Sequence, residues 1–150
     1  MNRIITVITA VLLITGAFSC KKSSGGGSNN TPTTKTVVIK ITLSPVPGSN
    51  QGSFTGACNA LLPNQNFATW KVNGVVRSNE NTIAFTTSDF QNGALTLETT
   101  AAVTSANLSM SGVTTAQYPF TVVYTATVNG KANDPVTIPV TSTMTRSFSL

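Results

Sequence analysis

The chain of 150 residues contains no histidine and only four carboxylates, Glu80, Asp89, Glu98 and Asp134. Histidine is the commonest general base and the commonest metal ligand, so a Ser-His-Asp arrangement is impossible despite the abundance of serine and threonine. What remains for hydrolysis is a pair of carboxylates, and the best placed are Glu80 and Asp89, which flank an alternating run at residues 83–85. Glu98 has the opposite parity to Leu95 and Leu97 and points to solvent, while Asp134 before Pro135 is a turn residue. There is no C-x-x-C and no D-x-D-x-D-G loop, and loop carboxylates could hold a calcium ion only weakly. No catalytic residue, no cofactor and no metal site is expected, and solvated surface acids are the better reading of all four.

Two further side chains invite a chemical role. Cys58 has no histidine or cationic neighbour to lower its thiol pKa, so it is expected as a small buried hydrophobe. Trp70 offers a face on which a sugar ring could stack. It shares the parity of Ala68 and Val72, however, which places it in a core. Phe67 and Phe90 lie nearer to loops and are better placed for exposure.

The net charge of +5 would suggest nucleic acid if the charges were together. They are not. Arg3, Lys21, Lys22 and Lys35 precede residue 36, and beyond it Lys40, Lys71, Arg77, Lys131 and Arg146 stand against the four carboxylates, five against four, a net of +1. A phosphate-tracking surface needs several cations on one face, so no nucleic-acid partner is expected. Charged residues are 9% of the chain, far below the usual share of about 25%.

The elements that carry these residues are strands. Val37, Ile39, Ile41 and Leu43 alternate with Thr36, Val38, Lys40 and Thr42, a period of two with one face buried. The same alternation recurs around residues 54–58, 68–72, 83–85, 95–97, 108–110, 118–128 and 136–140, giving seven or eight short strands in an all-β domain. Asn73-Gly74, Asn92-Gly93 and Asn129-Gly130 each border such a run. Two consecutive positive φ angles suit Asn-Gly best, so each predicts a tight antiparallel hairpin. The architecture expected is a two-sheet antiparallel sandwich over residues 36–150, with a small closed barrel as the alternative.

Before the domain comes an address. Residues 1–19 have a short basic start, an apolar run and a small-residue end, the three parts of a secretory signal peptide. As a helix the fifteen residues 4–18 would span about 22 Å, short of the roughly 30 Å of a bilayer core. Gly16-Ala17-Phe18-Ser19-Cys20 resembles a bacterial lipobox, with Ala17 where leucine is usual, and the resemblance implies a diacylated Cys20 as the mature N-terminus. Ala17 and Ser19 also satisfy the rule of ordinary signal peptidase, which would leave Cys20 a plain thiol. Cys20-Lys21-Lys22-Ser23-Ser24 is similar to the start of many Bacteroidota lipoproteins, which implies the outer membrane or cell surface. Residues 21–35 have nothing apolar to bury and read as a flexible tether about 21 Å long.

Several residues of the domain resemble the immunoglobulin-like sandwich. Cys58 and Trp70 are spaced like that family's strand B cysteine and strand C tryptophan, and residues 108–120 resemble its E strand and tyrosine corner. The resemblance implies that Tyr118 is a structural core residue whose hydroxyl ties the corner, and that Phe120 stands where the second cysteine would be, so the inter-sheet disulfide cannot form. The run Tyr118, Phe120, Val122, Tyr124, Ala126 is similar to the F strand of fibronectin type III domains, and residues 70–74 to PKD-type domains. The function expected from fold and address is non-catalytic binding of a glycan or protein at the cell envelope, with the membrane held through the lipid. A structural subunit assembling by edge-strand pairing is the alternative, and an enzyme is not expected.

Overall fold

The computed structural model describes residues 32–150. Cys20, the leader and most of the tether lie outside the described residues. Eleven strands run in the order β1 (Val37–Ser44), β2 (Gly52–Leu61), β3 (Trp70–Val72), β4 (Val75–Arg77), β5 (Ile83–Thr86), β6 (Ala94–Thr99), β7 (Ser105–Thr114), β8 (Phe120–Val128), β9 (Lys131–Ala132), β10 (Val136–Val140) and β11 (Thr143–Ser149). A single turn of 3-10 helix, Thr87–Asp89, follows β5. No helix among the described residues is long and apolar enough to cross a membrane.

The strands form two antiparallel sheets that do not close into a barrel, so the expected sandwich is the architecture found. One sheet has seven strands in the order β10-β8-β1-β6-β3-β4, with β9 also on β8, and the other has four in the order β11-β7-β2-β5. Three strands exceed the sequence expectation. β4 and β9 are short return arms of Asn-Gly hairpins, too short to show a period, and β11 is mostly exposed, so its alternation is diluted. In the immunoglobulin arrangement the tryptophan strand and the tyrosine-corner strand are neighbours. Here β1 and β6 lie between β3 and β8, because β1 pairs with both β8 and β6 along most of its length.

The core forms where the alternation points. Val37, Ile39, Ile41 and Leu43 of β1 are buried together with Phe54, Cys58, Trp70, Phe85, Leu97, Leu108, Met110 and Phe120 from both sheets. Phe54 sits at the centre of an aromatic cluster, edge-on to Phe120 and Phe90 with ring centroids 6.4 and 5.5 Å away. At Gly56 the absence of a side chain is structural: a Cβ would lie 2.3 Å from Phe85 Cζ and 2.6 Å from the Ser109 carbonyl. All three Asn-Gly pairs adopt two positive φ angles, 49° and 82° at residues 73–74, 50° and 76° at 92–93, 52° and 77° at 129–130. Asn73 does more than turn the chain. Its side chain donates to the Asp89 carbonyl and accepts from Thr96 N–H, both at 2.9 Å, which ties the β3–β4 turn to β6.

Candidate functional site

The residues singled out in the sequence fall into two groups. Cys58, Trp70 and Phe120 are core residues, at 1%, 0% and 2% exposure. Burial pushes the Cys58 thiol up to about 12, the opposite of an activated nucleophile. The Trp70 indole N–H and the Tyr124 hydroxyl are buried without a hydrogen-bond partner among the described residues.

Tyr118 is a correction. It is 40% exposed and its hydroxyl makes no hydrogen bond among the described residues, so it is neither core nor a tyrosine corner. The inward parity that Tyr118 shares with Phe120 does not reach it, because β8 begins only at Phe120. Tyr118 sits one step outside, in a turn where its N–H donates to the Thr115 carbonyl and its own carbonyl accepts from the Thr114 hydroxyl. Phe67 is exposed as expected, whereas Phe90 is half-buried against Phe54. Phe67 bridges to Leu61 at one end of β2, and Tyr118 follows Thr114, which pairs with Gly52 at the other end. The exposed aromatics therefore do not share a face.

The acids are engaged separately. Glu80 grips Arg77 through two bonds of 2.7 and 3.0 Å, which raises the pKa of the guanidinium, and Asp89 accepts the Thr86 N–H at 2.7 Å to close the 3-10 turn. Glu98 pairs with Lys71 at 3.3 Å on the outer face of the seven-stranded sheet. Among the described residues no group of three or more His, Cys, Asp or Glu is placed to hold a metal ion.

What the fold does assemble is a neutral polar face. Strand pairing sets the outward side chains of the four-stranded sheet in rows: Thr86, Thr55, Ser111 and Thr145 in one, Ala84, Ala57, Ser109 and Ser147 in the next, and Asn59, Asn107 and Ser149 in a third. No charge interrupts them. In the third row the Ser149 hydroxyl contacts Asn107 Oδ1 at 3.2 Å and Asn107 reaches Asn59 at 3.4 Å, so the groups are linked across three strands. An open cleft of about 430 Å³ shares Thr55 and Thr86 with this face and adds Ser53, Thr87 and Ser88. A second, of about 350 Å³, lies over Ala57, Ser109 and Thr145. Sequence reasoning passed over this face because hydroxyls on strands look like ordinary outward positions. The signal was the run rich in Ser and Thr from residue 104 to 115, without a charge, and again from 141 to 149, with Arg146 as its one charge.

No protein-family model matches the chain, and no curated protein matches it. Among solved structures it is similar in fold to a DUF4425 family protein from Bacteroides ovatus, at 14% identity and a TM-score of 0.60, over 79% of this chain and 95% of that one. A domain of unknown function, DUF4425, from Bacteroides vulgatus is similar at 10% identity and 0.59, over 78% and 94%. So is a protein from Parabacteroides distasonis, solved by NMR in its calcium-bound form, at 12% identity and 0.51, over 76% and 92%. At these identities the likeness is one of fold.

Proposed function

We propose that the chain is a lipid-anchored extracytoplasmic β-sandwich module that works at the cell envelope by non-covalent binding, without catalysis, and that the outer face of the four-stranded sheet is its contact side. The observation that carries the reading is the neutrality of that face. Covering a charge removes its hydration at a cost of several kcal/mol unless it is paired, whereas a hydroxyl or amide that finds a partner costs little. The face of Thr55, Ser109, Ser111 and Thr145 can therefore be covered by a partner's hydrogen-bonding surface far more readily than the opposite face, which bears Lys40, Lys71 and Glu98. A protein surface fits better than a glycan. A sugar-binding platform uses aromatic faces in register, and Phe67 and Tyr118 stand at opposite ends of the sandwich.

The envelope address rests on the leader and Cys20, and the fold neighbours in Bacteroides and Parabacteroides agree with the lipoprotein group that the leader resembles. The calcium of the Parabacteroides protein is not carried over, since the four carboxylates of this chain are not gathered into a cluster. Intact mass of membrane-extracted protein tests the anchor: acyl mass on Cys20, and loss of detergent partitioning in Cys20→Ala. Cosedimentation of the purified chain with envelopes tests the face. Ser109→Lys should reduce the bound fraction at least about tenfold, the scale set by leaving a charge covered and unpaired. Thr125→Lys, on the other sheet, should leave binding unchanged, and equal loss in both variants would overturn the assignment.

A further inference from the structure

Besides the two-residue β9, the two sheets end in four edge strands, and three of them are blunted. β4 has three residues and carries Arg77, ion-paired with Glu80. β5 has four, and beyond its end the Thr87 hydroxyl accepts the Phe54 N–H at 2.9 Å and donates to the Phe54 carbonyl at 3.2 Å, closing the edge of β2. β10 carries Pro139, which has no N–H to offer a neighbour. β11 differs from all of these. It runs for seven residues without proline, glycine or carboxylate, and Arg146 is its one charge. Folded proteins normally obstruct an edge of this kind, since its unpaired backbone groups are a template for another strand.

The phase of the ladder says which groups are free. Leu150 exchanges both backbone bonds with Ala106, at 3.1 and 2.8 Å, and the Ser142 carbonyl accepts Thr114 N–H at 2.7 Å. Antiparallel pairs alternate between bonded and non-bonded. Even-numbered residues of β11 therefore bond to β7, and Thr143, Thr145, Ser147 and Ser149, all exposed, turn their N–H and C=O away from the sheet.

We propose that β11 pairs antiparallel with β11 of a second copy of this chain about a two-fold axis at Thr145, joining two four-stranded sheets into one. The proposal rests on the reading that this sheet is the contact side and deepens it, because edge pairing leaves the neutral face open and doubles its width. A two-fold axis at Thr145 places Thr143 opposite Ser147, Met144 opposite Arg146, and Thr145 opposite its own copy. Hydroxyls then face hydroxyls, pairs that support each other across strands. An axis at Arg146 would set two guanidinium-bearing residues opposite each other with Cα atoms about 4.5 Å apart, so the lone cation excludes that register, whereas an axis at Thr145 pairs hydroxyls on both sides. An edge without a carboxylate and with one cation asks for no oppositely charged partner, and an isologous contact between identical patches satisfies it. Five paired residues on each side bury well under the roughly 1,600 Å² of a standard interface, so the dimer is weak in dilute solution and strengthened when both copies share one membrane.

The test uses the full chain in its membrane. With Thr145→Cys, mild oxidation should yield a disulfide-linked dimer, with facing Cα atoms within the roughly 4.4–6.8 Å that a disulfide spans. The yield should exceed that of the parent chain, whose Cys58 is buried, at least about tenfold once the copies are confined together. Ala57→Cys, on the same face but two strands inward, should stay at the parent level. Thr145→Pro removes an outward N–H and leaves the β7 ladder intact, so it should abolish the concentration-dependent dimer seen by sedimentation in detergent while the melting temperature holds. A missing Thr145→Cys dimer, or one unaffected by Thr145→Pro in sedimentation, overturns the proposal. A Thr145→Cys link to a different envelope protein also overturns self-pairing, yet leaves the contact-side reading standing. Equal loss of envelope binding in Ser109→Lys and Thr125→Lys overturns the contact-side reading and the proposal that rests on it.

Discussion

On the outer face of the seven-stranded sheet Lys40, Lys71 and Glu98 stand among threonines, and Lys71 and Glu98 pair across β3 and β6. At the matching central positions of the four-stranded sheet stand Thr55, Ala57, Ser109 and Ser111. Both sheets supply the same core, so burial does not distinguish them. In a chain with so few charges, three on the outer face of one sheet and none in the outward rows of the other decide which side water holds and which side can be covered. The Lys71–Glu98 pair itself adds little stability, since both side chains are about 40% exposed and such pairs contribute about 0–1 kcal/mol. Its consequence is the hydration of that face.

If the sheets differ only in their exteriors, changes in the shared core should disturb both together. Trp70 projects from the seven-stranded sheet and is fully buried, so Trp70→Ala should cost about 3–5 kcal/mol, much of the roughly 5–15 kcal/mol such a domain possesses. Circular dichroism in urea measures it, because the variant has no other tryptophan. Gly56→Ala attacks the same core from the four-stranded side. Its Cβ would drive into the Phe85 ring and the Ser109 carbonyl, for about 1–3 kcal/mol by the same measurement.

The core also imposes a pH dependence on the alkaline side. Cys58 ionises near 9.0 in the unfolded chain and is pushed up to about 12 in the fold by burial. Below pH 9 the thiol is neutral in both states and contributes no change. Between 9 and 12 the unfolded state alone loses the proton, so stability falls as pH rises through that window. Burial raises the Tyr124 hydroxyl as well, which acts in the same direction. The urea midpoint should drop above pH 9 and drop less in Cys58→Ala, and Cys58 should resist alkylation until the chain is denatured. The smallest effect belongs to Tyr118. Exposed and with its hydroxyl unbonded among the described residues, it should lose less than about 0.5 kcal/mol as Tyr118→Phe; a loss above 1 kcal/mol would restore the corner role that its position denies.

The sequence revealed what period and turn chemistry control. Alternation in β1 and β8 placed the core, and the Asn-Gly pairs placed three tight turns, because each signal is local and strong. The pairs at 73–74 and 129–130 join the hairpins β3–β4 and β8–β9, while 92–93 closes a lone Gln91–Ala94 bridge where the chain passes from one sheet to the other. Tyr118 escaped because its parity is correct and only the point where β8 starts excludes it, a matter of where the neighbouring strand ends. The neutral face escaped for a different reason. Thr55, Ser109 and Thr145 are ninety residues apart from first to last, and only the order β11-β7-β2 makes them neighbours.

Carbene footprinting tests the central claim most directly, comparing the full chain in its native envelope with the same chain purified in detergent. Protection in the envelope should fall on residues 53–59, 107–113 and 143–149, while residues 38–42 and 121–127 label equally in both. Protection confined to the strands that carry Lys40 and Thr125, with β7 and β11 labelling freely, would contradict it.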